Sequence, residues 1–403
     1  MNDNILNILN GAVYEDGSIT RLEYHTHLPY TSTTYNNNDE IRIPINQQDV
    51  FTLPCESYLH IKLEYANAAG AHDPAHKLIS NCAAFLFDEI RYEISGTEVD
   101  RVKNVGITST IKNLLTIKPH NTKSLINASW SENLIDLIEP ISKDISFCVP
   151  LKMLLGFAED YKRILLNVKQ ELVLIRSSSD FNAIYLPNTV TNCTFKIKHI
   201  SWRIPYVHVS DEKKFQLFKL IERDEKICIP FRKMELFESP SAPRAKQHSW
   251  TVKTSSQSEK PRYVIVGFQT DRKNSPHKNS SHFDLVSIRN IKLYLNSEYY
   301  PYDNLNGNTE ILHEYYTRFQ SSYYYGSNDE PMLNRSDFLQ YTPLYVIDCS
   351  KQNESLKTGS IDVRLDIETS ADIPDKTAIY CLIIYDTIIQ YTPLSGTVRK
   401  SFI

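Results

Sequence analysis

The chain is poor in glycine: 11 among 403 residues, and no two of them stand two, four or five positions apart. Phosphate loops and nucleophile elbows need glycine where the backbone must approach closely, so G-x-G-x-x-G, G-x-S-x-G and the Walker A pattern are excluded together. Cysteine is scarce as well. The seven, Cys55, Cys82, Cys148, Cys193, Cys228, Cys349 and Cys381, form no C-x-x-C and no zinc-type spacing with histidine. The stretch Met1–Gly17 lacks a basic start, a long apolar core and a small-residue cleavage site, which predicts no secretory route, free thiols in a reducing compartment, and unused N-x-S/T sequons at Asn127, Asn192, Asn279, Asn334 and Asn353. No apolar run is long enough to cross a bilayer. Neither sign of charge dominates, with 44 Lys and Arg against 48 Asp and Glu, so electrostatics makes no general case for a nucleic-acid coat.

What the chain has is aromatic surface: 25 tyrosines and 16 phenylalanines, residues that suit pleated, half-buried strands. Alternation with a period of two recurs at Glu40–Ile45, Ser57–Tyr65, Ile164–Arg176 and Ser360–Glu368, the pattern of antiparallel strands with one wet face. Phe195–Pro205 changes phase near Lys198 and His199, which predicts a bulge. Tyr380–Ile389 is apolar on both faces and suits a strand between two layers. Helical spacing is confined to three places: Val102–Ile117, Asp211 to about Glu222 behind a Ser210 cap, and a segment capped by Thr309 that carries Leu312, Tyr315, Tyr316 and Phe319. Strands and helices do not alternate, which argues against a parallel sheet. The fold class is therefore all-β with short helical insertions.

A weak internal repeat organises these pieces. Ile90–Asp100 reads strand, polar turn, short strand, then helix, and Ile291–Pro301 repeats that order 201 residues later, half the length of the chain. Two copies of one β-domain follow, and the eight-stranded jelly roll is the double-sheet domain that fits their size. The expected organisation is an N-terminal arm over residues 1–21, a first jelly roll over 22–208, a linker helix over 209–223 and a second jelly roll over 224–403.

Four stretches carry a resemblance: FDEIRYEISGTEVDRVKNVGITSTIKNLL (Phe87–Leu115), PRYVIVGFQTDR (Pro261–Arg272), NSSHFDLVSIRNIKLYLNSEYYPYDNL (Asn279–Leu305) and YDTIIQYTPLSGTV (Tyr385–Val398). In their order and spacing, from about Leu22 to Val398, they resemble the double jelly-roll major capsid proteins of Polinton or Maverick-type elements and related animal viruses. The resemblance implies a structural, non-enzymatic protein with no cofactor. Three copies would form a pseudo-hexameric capsomer of an icosahedral shell, in contact with a penton or minor capsid protein and indirectly with packaged double-stranded DNA. It also implies that the linker helix, with Phe215 and Phe218, wedges between the barrels. A minor capsid or host-retained capsid-derived protein, and a jelly-roll carbohydrate-binding protein, are the alternatives, since fold alone never settles function.

Residue clusters outside that resemblance read as structural. His25 with His27, and His72 with His76, form doublets without a third metal ligand. Glu159 with Asp160, and Asp372 with Asp375, read as solvated turns, and the basic run from Arg262 through Arg272, Lys273 and Lys278 reads as a solvated loop. Tyrosines crowd the second helical excursion, where Tyr315, Tyr316, Tyr323, Tyr324 and Tyr325 offer apolar area with a polar tip. That excursion and Val102–Ile117 are expected at subunit contacts, or else as caps on the open ends of each barrel.

Overall fold

The computed structural model describes residues 18–30, 34–46, 50–67, 76–138, 144–166, 168–186, 193–254, 260–326, 330–351 and 361–401. Residues Ile5, Leu6, Ile8 and Leu9 of the expected arm, and His72, lie outside them.

Among the described residues eight main strands build the first half, besides two-residue strands: β1 (Ile19–His27), β2 (Glu40–Ile45), β3 (Tyr58–Asn67), β4 (Phe87–Ile94), β5 (Thr97–Lys103), β6 (Asp144–Pro150), β7 (Gln170–Arg176) and β8 (Cys193–Val209). They pair antiparallel in two sheets, β1-β8-β3-β6 and β2-β7-β4-β5. The second half contributes β9 (Ile227–Ser239), β10 (Gln247–Thr254), β11 (Pro261–Thr270), β12 (Ile288–Leu295), β13 (Glu298–Tyr300), β14 (Tyr345–Asp348), β15 (Asp362–Thr369) and β16 (Thr377–Thr392). Its sheets are β9-β16-β11-β14 and β10-β15-β12-β13. Adding eight to every strand of the first pair of sheets gives the second pair. Each half is thus a jelly roll, two sheets of four main strands between which most consecutive strands are shared, with Phe51–Thr52 and Leu165–Leu166 extending one sheet of the first half and Thr397–Ser401 pairing with β16 in the second.

The alternation in the sequence sets which side faces in. Leu59, Ile61, Leu63 and Tyr65 of β3 are buried while Tyr58, His60, Lys62 and Glu64 on the other side meet solvent in part. In β16, Thr377 to Tyr385 are buried on both sides. The phase change in β8 is a bulge, where the register against β3 skips Lys198 between Ile197 and His199. Ile164–Arg176 is not one strand. Leu165–Leu166 pairs with Phe51–Thr52 on one sheet of the first roll, and β7 lies in the other, so the chain crosses between the sheets. Both segments turn apolar residues to the same core, which is why the alternation runs through the crossing.

Helices fill corresponding connections. After β5 comes α1 (Val105–Thr116), and after β13 comes α4 (Thr309–Tyr323), capped by Asn308, whose side chain accepts from the amides of Glu310 and Ile311, rather than by Thr309. Between the rolls stands α3 (Asp211–Glu222), and α2 (Gly156–Asp160) follows β6. Ser210 precedes α3, but its side chain makes no capping bond. The two-residue turns also match: Ser95 and Gly96 both take positive φ between β4 and β5, as Asn296 does between β12 and β13. One hydrophobic core runs through both halves.

Candidate functional site: the joint between the rolls and the exposed aromatics

The joint begins with Gly156. A β-carbon there would lie 1.7 Å from the carbonyl oxygen of Arg232 in β9, so only glycine lets the start of α2 touch the strand of the other roll. Next along α2, Phe157 meets Phe231 edge to face at 5.4 Å. Asp160 then receives three bonds from Arg232, from the backbone amide at 2.8 Å and from two guanidinium nitrogens. The same guanidinium donates to the carbonyl of Tyr323 at 2.9 Å and lies 3.5 Å from the centre of its ring. Burial opposes the charge on Arg232, yet the bonds to Asp160, with Tyr323 and Glu159 beside them, together outweigh it and hold the guanidinium ionised.

Glu159 ties in the helices. Its carboxylate accepts from the Tyr323 hydroxyl at 2.9 Å and the Tyr324 hydroxyl at 3.4 Å, and pairs with the buried amine of Lys112 in α1 at 3.0 Å. Burial, with Glu159 adding to it, pushes the Tyr323 phenol well above its ordinary range, so it stays a donor. Gln320 donates to the carbonyl of Ile117 at 3.0 Å. Glu159 and Asp160 are therefore no solvated turn. Breaking a fully buried, hydrogen-bonded ion pair costs about 3–5 kcal/mol, the upper bound for these part-buried pairs.

A second contact joins the rolls at another place. The Leu186 amide donates to the Pro276 carbonyl at 2.7 Å, Asn182 and Asn274 exchange bonds, and His282 lies 2.7 Å from the Ile135 carbonyl. The basic run does form a loop after Thr270, exposed at Lys273, but its charges are paired. Arg262 pairs with Asp386, Arg272 with Asp284, Lys273 with Glu238 and Lys278 with Asp271.

The residues singled out from the sequence divide by exposure. Tyr316 and Tyr323 are buried within the chain, and Tyr315 and Tyr324 are half-buried against its core. Tyr325 is 77% exposed, with its hydroxyl beside Arg262. All twelve residues of α1 are buried, so this helix packs inside one chain and leaves no face for a neighbour. Phe215 and Phe218 are 61% and 41% exposed and sit under Lys219 and Lys214. Instead of these two, Leu217 and Ile221 hold α3 to the protein, on Phe51, Leu166 and Val207 of the first roll. Tyr302 and Tyr299 add exposed rings near the second roll's turn.

His25 stacks on Tyr206 at 4.0 Å and His27 lies 3.0 Å from its hydroxyl, which accounts for that doublet. His76 is buried against the Tyr65 ring. Asp375 pairs with Arg244 at the surface. Among the described residues no three histidine, cysteine or carboxylate side chains gather as a metal site, and no helix is long and apolar enough to cross a membrane.

Comparison with known proteins follows the architecture. The double jelly roll-like domain matches residues 76–389. No curated protein sequence matches the chain. Among solved structures, the cryo-EM structure of the Sputnik virophage superposes with a TM-score of 0.67 at 10% identity, over 100% of this chain and 92% of that one. The Faustovirus major capsid protein gives 0.62 at 10% identity, over 96% and 92%. The mavirus major capsid protein gives 0.56 at 12% identity, over 94% and 90%. At such identities the likeness is one of fold.

Proposed function

The chain belongs to the double jelly roll-like domain family, and on that premise we propose that it is a major capsid protein whose three copies form a pseudo-hexameric block of an icosahedral shell. The observation that carries this reading is the repetition of one strand order twice within a single joined body. Three such chains around a three-fold axis supply six near-equivalent barrels, a shape that tiles by sixfold contacts while every interface is made by one gene product. A tile must also hold its barrels at a fixed angle, and the lock of Gly156, Asp160, Arg232 and Tyr323 suits that duty. The capsid proteins it resembles are matched over nearly their whole length, so little of their chain lies outside the shared body.

In this reading the organisation is an arm over residues 1–21, rolls over 22–208 and 224–403, and a linker helix over 209–223. The source is a Polinton or Maverick-type element or a related virus, and the protein resides in the virion shell after assembly inside the host cell. Its partners are further copies of itself, a penton or minor capsid protein at the vertices, and the enclosed double-stranded DNA. Subunit contacts fall to the exposed aromatics Phe215, Phe218, Tyr302 and Tyr325, whereas Tyr316, Tyr323 and Tyr324 serve within the chain.

Light scattering on the purified chain tests the assembly. A subunit of 46.6 kDa is expected to give a species of about 140 kDa, three copies. A monomer that persists at high concentration overturns the reading.

A further inference from the structure

Beside the joint, between the end of α1, Ala158 and Glu159 of α2, and Tyr324, lies an open cleft of about 740 Å³. Four basic side chains line it, Lys118, His120, Lys152 and Lys162. The sequence around them is depleted of opposing charge: Asn104 to Ser131 contains no aspartate or glutamate, and neither does Tyr161 to Gln170. Two carboxylates reach the lining. Glu159 is already held by Lys112, Tyr323 and Tyr324, and Glu56 is the other carboxylate in the lining. His120, Lys152 and Lys162 make no ion pair among the described residues, and Lys118 rests 5.0 Å over the Tyr324 ring. The amines also act on the cleft wall. Burial pushes the Cys55 thiol up and Glu56 adds to it, while Lys152 and Lys162 pull it back.

Clustered ammonium groups in an open, wet cleft attract a hydrated, multiply charged anion rather than a single carboxylate, because lysines act as mobile point charges without the fixed fork of arginine. We propose that this cleft is a binding site for consecutive phosphate groups, supplied either by a free polyphosphate or by the backbone of a nucleic acid. The proposal is independent of the shell reading. It sits on a chain whose net charge of −4 gives no general affinity for such anions, so binding there is local.

Calorimetric titration of the full chain with inorganic tripolyphosphate tests it. Binding is expected at low salt and should weaken steeply as salt is added. The double variant Lys152→Glu with Lys162→Glu, both at exposed positions, should lose affinity by at least about tenfold with unchanged melting. Lys273→Glu, outside the cleft lining and paired with Glu238, should bind as the parent does. A random-sequence DNA duplex that displaces tripolyphosphate identifies the nucleic-acid backbone as the source, and one that does not identifies free polyphosphate. No binding by the parent, or equal binding by the double variant, overturns the site.

Discussion

Asp100 shows how one residue couples the first roll to the joint. It is fully buried at β5, and its Oδ2 accepts from the Phe157 amide at 3.0 Å, so it caps the helix that touches the other roll. Its Oδ1 has no partner among the described residues. Burial pushes this carboxyl up to about 6, against the pull of the Phe157 amide and Lys233. The folded value then lies above the ordinary 3.8, so the native state favours the protonated acid. The stability from this group is complete below about pH 4 and lost as pH rises through about 6. The difference between those two values corresponds to at most about 3 kcal/mol. Asp100→Asn keeps an acceptor for Phe157 and carries no charge. Urea denaturation should show this variant more stable than the parent by up to about 3 kcal/mol near pH 8, with little difference near pH 4. A variant no more stable near pH 8 would sink this account of Asp100.

At the scale of elements, α3 carries its apolar residues nearly all round, and only packing decides which of them are core. Phe215, Phe218 and Ile221 share one spacing, Leu217 and Ile221 another, and it is the second pair that meets Phe51, Leu166 and Val207. Ile221→Asp puts a charge into that contact and should lower stability by about 3 kcal/mol. Phe218→Asp should change it by no more than about 0.5 kcal/mol, since this residue sits at the surface outside that contact. Thermal melts of the two variants separate these outcomes, and the reverse ranking would return Phe218 to the interior. The contrast explains what could be read in advance. Strands with one wet face announce themselves by alternation, so Glu40–Ile45 and the bulge at Lys198 were legible from residues alone. The joint was not. Arg232 stands 72 positions from Asp160 and 91 from Tyr323, and no local period links them. Glu159 and Asp160 look like surface carboxylates until the fold sets an arginine and two tyrosines against them. Tyrosine crowding likewise marks both an interior face and an outer surface, and the structure divides it between Tyr323 and Tyr325.

For the whole molecule, duplication and rigidity are one argument. Two rolls with the same strand order would be interchangeable lobes only if their relative angle is set within each chain, and the continuous core with its two sets of inter-roll bonds sets it. Exposed aromatics outside that core, Phe215, Phe218, Tyr302 and Tyr325 among them, are then available for contacts between chains. The most direct measurement is electron cryo-microscopy of the purified assembled species, viewed down its symmetry axis. Six similar lobes arranged with three-fold symmetry, two from each chain, are expected. A single pair of lobes, or a ring of five, would contradict it.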